Sequence, residues 1–242
     1  MSTTDKVFNV LELDSVDSTN LEARRRVGKG AAHATILLAR TQTAGRGRLS
    51  RPWHSAEGGI YATFILRPVD LGDMFAMGVS VRSVLEGIGV SALLKWPNDL
   101  LVRDKKIAGI LGETQGDALC LGIGINVDQT GEELKAVGLG DLATSVSLET
   151  GRACGREGRR DLLETIAEAF FETRALSREI LRSRWREKCG TLGRTVRVET
   201  PDRVLVGRAA DIGPNFELIV EAESGREIIL AGDCVHLRSR DA

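Results

Sequence analysis

At 242 residues, with 42% hydrophobic and 28% charged residues, the chain has ordinary globular composition and room for one large domain plus a small one. Its 33 Lys and Arg against 34 Asp and Glu leave a net charge of −1, which excludes nucleic-acid binding through bulk charge, so any anion must be held by local placement of basic groups. Cys120, Cys154, Cys189 and Cys234 form no CxxC or Cys/His metal spacing, the N-terminus lacks a signal-peptide core, and no run approaches the roughly 20 apolar residues that span a bilayer, so a cytoplasmic protein with free thiols and no membrane contact is expected.

In chain order, Asp17-Ser18-Thr19 supplies side-chain caps ahead of a short helix over LEARRRVGKG, which Gly28 or Gly30 ends. ATILLA (34–39) reads as a buried strand, RTQTAGRGRLSRPWHSAEGG (40–59) as a glycine- and arginine-rich segment, and IYATFIL (60–66) as another strand. Residues 74–89 carry apolar groups at helical spacing and end near Gly87 or Gly89. SALLKW and DLLV flank Pro97, which predicts a turn or an edge position; RDKK turns tightly into IAGILGE, and ALCLGIGINV follows as a strand. Residues 155–188 predict one long helix with Leu162, Leu163, Ile166, Ala169 and Phe170 on one side. From Thr195 the period drops to two, in short runs separated by PD, GPN, SG and GD, which predicts a small β-barrel of about 50 residues. The boundary is expected near Lys188–Gly190, dividing the chain into 1–188 and 189–242. The front part mixes strands, a few helices and hairpin-like connections, so α+β is expected rather than a doubly wound sheet.

Three segments carry chemistry. Gly45-Arg46-Gly47-Arg48, continuing through Arg51 to Trp53, alternates glycines that let amides approach a ligand with guanidinium forks suited to phosphate and carboxylate oxygens. Taken alone, the same pattern also describes a solvated RGG-like loop with weak RNA affinity. Lys95-Trp96-Pro97-Asn98-Asp99, followed by Lys106-Ile107-Ala108-Gly109-Ile110, brings two lysines, an amide and a carboxylate close together. An ammonium can sit between two anionic reactants, and an adjacent Asp can hold magnesium or take a proton from an amine. A plain hairpin with surface lysines has the same pattern, and Trp96 by itself reads as core. Gly122-Ile123-Gly124-Ile125-Asn126 leaves room beside a strand for a planar ligand, with an amide for an adenine edge, or else marks glycine bulges. GxGxxG, GxxxxGK[ST] and GxSxG are all absent, which removes the common dinucleotide, NTPase and serine-hydrolase readings.

Together and in this order, these pieces resemble the successive motifs of biotin protein ligases: Asp17-Ser18-Thr19-Asn20, Gln42-Thr43-x-Gly45-Arg46-Gly47-Arg48 with Trp53, Lys95 to Asp99, Lys106-x-x-Gly109-Ile110, and Gly124 to Val127. Ala143-Thr144-Ser145 and Val235-x-Leu237-Arg238 are similar to later landmarks of that family. The resemblance implies a catalytic domain on a mixed sheet with helices on one face, followed by an SH3-like barrel. It implies ATP and Mg2+ as co-substrates, biotin as the acid, and the biotin carboxyl carrier protein or domain of acetyl-CoA or a related carboxylase as acceptor. It further implies that Ser18, Thr19, Asn20, Gln42, Arg46 and Gly109 surround biotin, and that Lys106 bridges the biotin carboxylate and the α-phosphate. Arg48 and Arg51 fold over the adenylate phosphate; Trp53, Lys95, Asn98 and Asn126 complete the nucleotide site; Asp99 helps the acceptor lysine lose a proton. No metal ligand is assigned. Because Asp17-Ser18 comes early, the resemblance points to the class without a DNA-binding domain, as a monomer or homodimer. The sequence departs from the family at Leu49-Ser50, where a glycine two residues after the second GRGR arginine is common. The alternatives are a lipoate or octanoate ligase and, from another class, a non-enzymatic nucleic-acid binder.

Overall fold

A computed structural model describes residues 7–237, so Arg238 lies outside the described residues. Residues Asn9–Val16 (β1) extend before the first helix, Thr19–Val27 (α1), and pair in parallel with β2 (Thr35–Gln42). The sequence reading contained no β1, because its pattern of charges and half-buried groups suits an edge strand and gives no clean alternation. β3 (Gly59–Leu66) pairs antiparallel with β2 and is buried along its whole length. After α2 (Asp73–Gly87) come β4 (Leu93–Lys95), β5 (Asp99–Val102), β6 (Lys105–Gln115) and β7 (Ala118–Asn126). Arg103 and Asp104 both have positive φ, 49° and 65°, as a two-residue hairpin between β5 and β6 requires.

The seven strands form one mixed sheet in the order β1-β2-β3-β7-β6-β5-β4. Helices cover both of its faces, a correction to the expected single covered face. Ile36, Phe64, Leu119 and Leu121 pack with Phe170 of α5 (Gly155–Arg174), whereas Leu37, Ile65, Ala118 and Cys120 point the other way, onto Ala23 of α1. Two short helices, α3 (Gly131–Ala136) and α4 (Val146–Thr150), follow β7. The helix expected over 155–188 is two helices, α5 and α6 (Arg178–Glu187): Ser177 sits between them at φ −61°, ψ 151° and accepts from the Ile180 N–H, so its N-cap role outweighs the continuous apolar spacing.

The C-terminal strands β8 (Thr195–Glu199), β9 (Val204–Ile212), β10 (Leu218–Ala222), β11 (Gly225–Ile229) and β12 (Asp233–His236) form an antiparallel sheet in the order β11-β10-β9-β8-β12. It is not closed as a barrel: the short edge strands β11 and β12 have no ladder to each other, a correction to the expected closure. The sheet docks on Trp96, which is 1% exposed and donates from Nε1 to Phe216 O at 2.9 Å, while Phe75 stacks on Phe216 at 4.2 Å. Residues 188–190 run beside β4, with Leu94 N donating to Lys188 O and Gly190 N to Leu94 O. Among the described residues no helix is long and apolar enough to cross a membrane, and all four cysteines are free.

Candidate active site

A cavity of about 310 Å³ opens where the N-terminus of α1, the 43–58 loop, β6 and β7 meet, and Asp233 of β12 joins its rim. The start of α1 supplies Ser18, Thr19 and Asn20, all at most 4% exposed, in the first turn of the helix and at the residue before it. The expected side-chain capping by Ser18 is absent. Instead the Thr19 N–H donates to Gln42 Oε1 at 2.8 Å, and Gln42 Nε2 donates to Ser55 Oγ at 2.8 Å. Asn20 Nδ2 donates to Glu113 Oε2 at 2.8 Å, and its Oδ1 lies 2.6 Å from Thr63 Oγ1. This end of the cavity is neutral and closely hydrogen-bonded. Arg46 closes it, its guanidinium 3.5 Å from Glu113 Oε1 and its Nε buried without a hydrogen-bond partner.

The other end is cationic. Lys106 Nζ stands 2.6 Å from Asp99 Oδ1 and 5.1 Å from the centroid of the Trp53 ring. Trp53 lies flat over two glycines: a Cβ on Gly124 would fall 2.5 Å from its ring, and one on Gly109 3.1 Å from both its ring and Lys106 Nζ. Any larger residue at 124 would expel the indole, so glycine at that position serves the close approach. The Trp53 Nε1–H is buried and unpartnered, a second donor without an acceptor. Arg48 donates to Asn98 Oδ1 at 3.3 Å, and burial pulls its guanidinium below its usual pKa. Arg51 makes a two-pronged contact with Asp233, which raises the Arg51 pKa. Burial works against the Asp233 carboxylate, but Arg51 prevails and holds it below the usual carboxylate range. The loop carrying both arginines closes on itself through Gly47 N to Arg51 O and Trp53 N to Gly45 O. At the departure noted in the sequence, Leu49 and Ser50 adopt φ of 53° and 58°, a left-handed pair that glycine would hold without strain.

Of the residues expected at the site, Ser18, Thr19, Asn20, Gln42, Arg46, Arg48, Arg51, Trp53, Asn98, Asp99, Lys106, Gly109 and Asn126 all border this one cavity. Lys95 does not; its ammonium lies 3.8 Å from Asp99 Oδ2, behind the wall. Asn126 is present but half-committed, since its Nδ2 donates to Thr144 O at 3.0 Å and Lys106 O at 3.3 Å, leaving only its carbonyl for a ligand. Sequence reasoning missed Glu113, Thr63, Ser55, Asp233 and the cavity-lining Leu139 and Leu142. One available signal was Thr63, the single hydroxyl besides Tyr61 in an otherwise apolar strand.

A model of the biotin/lipoate A/B protein ligase family matches residues 12–129, and a model of the biotin protein ligase C-terminal domain matches residues 191–237. The biotin–[acetyl-CoA-carboxylase] ligase of Mycobacterium tuberculosis is 35% identical, over 91% of this chain and 86% of that protein. The enzyme of the same name from Paracoccus denitrificans is 30% identical over 91% of this chain and 98% of its own length, and the bifunctional ligase/repressor BirA of Bacillus subtilis 32% identical over 91% and 71%. The solved biotin protein ligase of Aquifex aeolicus in complex with biotin and ATP superposes with a TM-score of 0.82 at 32% identity, over 96% of this chain and 99% of that one.

Proposed function

The chain belongs to the biotin protein ligases, and on that premise we propose that it activates biotin with ATP to biotinyl-5′-adenylate and transfers the biotin to a lysine of the carboxyl carrier protein or domain of acetyl-CoA or a related carboxylase. The observation that carries this reading is the division of the cavity. An end lined by the neutral, mutually hydrogen-bonded side chains of Thr19, Asn20 and Gln42 suits an uncharged ring system, and a cationic end formed by Arg48, Arg51 and Lys106 suits phosphates. Buried donors without acceptors, Arg46 Nε and Trp53 Nε1, stand along it for the ligand to satisfy.

A carboxylate is a poor acyl donor. In the first step the biotin carboxylate oxygen attacks the α-phosphorus of ATP, the bond to the bridging oxygen breaks, and pyrophosphate leaves. Two anions must approach, and the Lys106 ammonium between them offsets their repulsion, moving off Asp99 Oδ1, which it pairs at 2.6 Å without ligand. Arg48 and Arg51 take the phosphate oxygens, and the Trp53 face packs against the nucleotide. The Asn126 carbonyl accepts from the adenine amino group. In the second step the acceptor amine attacks the mixed anhydride, the new C–N bond forms as AMP departs, and Asp99, released by Lys106, accepts the amine proton. No enzyme-bound intermediate is required; the chain contributes positioning, charge and exclusion of water.

Among the described residues no group of three or more His, Cys, Asp or Glu could hold a metal ion, and Asp99 and Asp233 already face cations. Magnesium would enter as part of the MgATP substrate, its charge met chiefly by phosphate oxygens. ATP–pyrophosphate exchange measured with biotin, with octanoate and with no acid tests the reading. Exchange that depends on biotin alone supports it; exchange driven by octanoate turns the assignment to lipoate or octanoate ligation, and none with any acid defeats both.

A further inference from the structure

A chain of hydrogen bonds runs under the neutral end of the cavity from a carboxylate to a hydroxyl. Asn20 packs against Gly122, where a Cβ would lie 2.2 Å from its Oδ1, so the amide is boxed in. Its Nδ2 faces Glu113 Oε2 at 2.8 Å and Leu111 O at 3.3 Å; its Oδ1 lies 2.6 Å from Thr63 Oγ1, which lies 2.8 Å from Thr19 Oγ1. Thr63 is fully buried and Thr19 and Asn20 nearly so, so an unmet proton here is costly.

The protons from Glu113 to Thr63 have one consistent arrangement. Carboxylate and carbonyl oxygens only accept, so Asn20 must turn Nδ2 to Glu113 and Leu111. Its Oδ1 then faces Thr63 and only accepts, which uses the single Thr63 proton. Thr63 can therefore only accept from Thr19, and the Thr19 proton points down into the wall. Gln42 Oε1, 3.1 Å from Thr19 Oγ1, keeps a second lone pair besides the one that takes the Thr19 N–H, so it is the other acceptor within reach of the Thr19 proton; with either acceptor that proton points away from the cavity. What Thr19 offers the cavity is a lone pair.

We propose that Glu113 is a positioning residue that fixes the hydrogen-bond polarity of the cavity floor, through Asn20 and Thr63, so that Thr19 presents an acceptor and selects a ligand carrying an N–H at that point. The inference rests on the biotin reading and deepens it: the ureido ring of biotin carries N–H groups, whereas a fatty-acyl or lipoyl chain has none to offer. Glu113 serves the same end a second way, since its Oε1 pairs with Arg46 at 3.5 Å and with Arg24 at 3.8 Å.

The test is ATP–pyrophosphate exchange by the full chain, with KM for biotin, KM for ATP and kcat measured for the wild type, Glu113→Ala, Thr63→Val, their double variant and Thr63→Ser. Glu113→Ala and Thr63→Val each raise the biotin KM about 10-fold, the size of one buried hydrogen bond lost, with the ATP KM and kcat little changed. Because Thr63→Val breaks only the chain that Glu113→Ala already breaks, the double variant stays at the Glu113→Ala level, about 10-fold, instead of reaching about 100-fold. Thr63→Ser, which keeps the hydroxyl, restores the wild-type KM. Should Glu113→Ala melt before assay, Glu113→Gln, whose amide can turn a donor toward Asn20, moves the biotin KM the same way by a smaller factor. An unchanged biotin KM, a multiplicative double variant or no rescue by Ser overturns the proposal. A wild type without biotin-dependent exchange defeats the functional reading instead, so the two failures are distinct.

Discussion

The two ends of the cavity are built by opposite means. The neutral end stands on a helix and three strands: Ser18, Thr19, Asn20 and Thr63 are at most a few per cent exposed and are tied to half-buried Gln42 and Glu113 by hydrogen bonds between 2.6 and 2.8 Å. The cationic end hangs largely on a loop whose Leu49 is 70% exposed, with Arg48 held by one hydrogen bond to Asn98 and Arg51 by an exposed pair to Asp233. A recognition site needs preorganisation, because each ligand contact is then made without an ordering cost. A site that must admit ATP, enclose a reactive anhydride and release AMP needs parts that move. The difference assigns specificity to the rigid end and containment to the loop.

The comparison breaks most directly at Lys106, where the two ends meet. Lys106→Ala removes the ammonium that separates two anions, and exchange should fall by about 10²–10³, the cost typical of losing one preorganised electrostatic contact. A biotin KM that stays near wild type in the same variant would place the loss in chemistry and not in the rigid end. Arg48→Gly acts on containment: the adenylate should form about 10-fold more slowly through loss of a charge-assisted hydrogen bond, then escape into solution. Mixed with ATP, biotin and an unrelated lysine-rich protein, the variant should attach biotin to that bystander above the wild-type level. Equal bystander labelling removes Arg48 from retention of the intermediate.

A smaller effect is expected at the junction beneath the loop, where Thr191 Oγ1 accepts from Trp96 N at 3.0 Å and lies 3.0 Å from His236 Nε2. Burial first, then Lys95 and Arg194, lower the His236 pKa from 6.5 to about 4, with Asp104 and Asp99 opposing. The folded chain thus keeps this imidazole neutral where the unfolded chain protonates it. Its contribution is intact above about pH 6.5 and is lost as pH falls toward 4, by about 1 kcal/mol after allowing for solvent screening. Thermal melts of wild type and His236→Gln from pH 7 to 4 should converge on acidification; a constant gap contradicts it. The smallest effect belongs to Ser50→Gly, which relieves one of the two left-handed φ values in the loop. At about 0.5 kcal/mol, it should slow tryptic cleavage near Arg46–Arg51 about twofold, and faster cleavage would show that the loop does not rest in this conformation.

How far the sequence reached follows the same division. Strands with continuous apolar runs, such as 60–66 and 118–127, and the alternating C-terminal strands were legible because burial writes their period into the residues. β1 was not, since an edge strand needs no apolar alternation, and the break at Ser177 was hidden by apolar spacing that continues across it. Apart from Lys95, the motif residues border one cavity; what made them legible was the dense spacing of glycines, arginines and lysines within short segments, since these residue types are common along the whole chain. Glu113 and Asp233 stayed invisible: each is an ordinary surface type in sequence, and only the fold brings Glu113 93 positions from Asn20, or Asp233 182 positions from Arg51, into contact. Lys95 was named by its motif, yet the strand turns its side chain behind the wall.

Amide hydrogen exchange, compared for the ligand-free chain and for the chain with biotin and ATP, measures both ends in one experiment. The account predicts strong new protection across residues 45–52 and little change at residues 18–20 and 63, which are already protected without ligand. Protection that rises equally at both ends, or a loop already protected before ligand is added, would contradict the division between a rigid recognition end and a closing cationic loop.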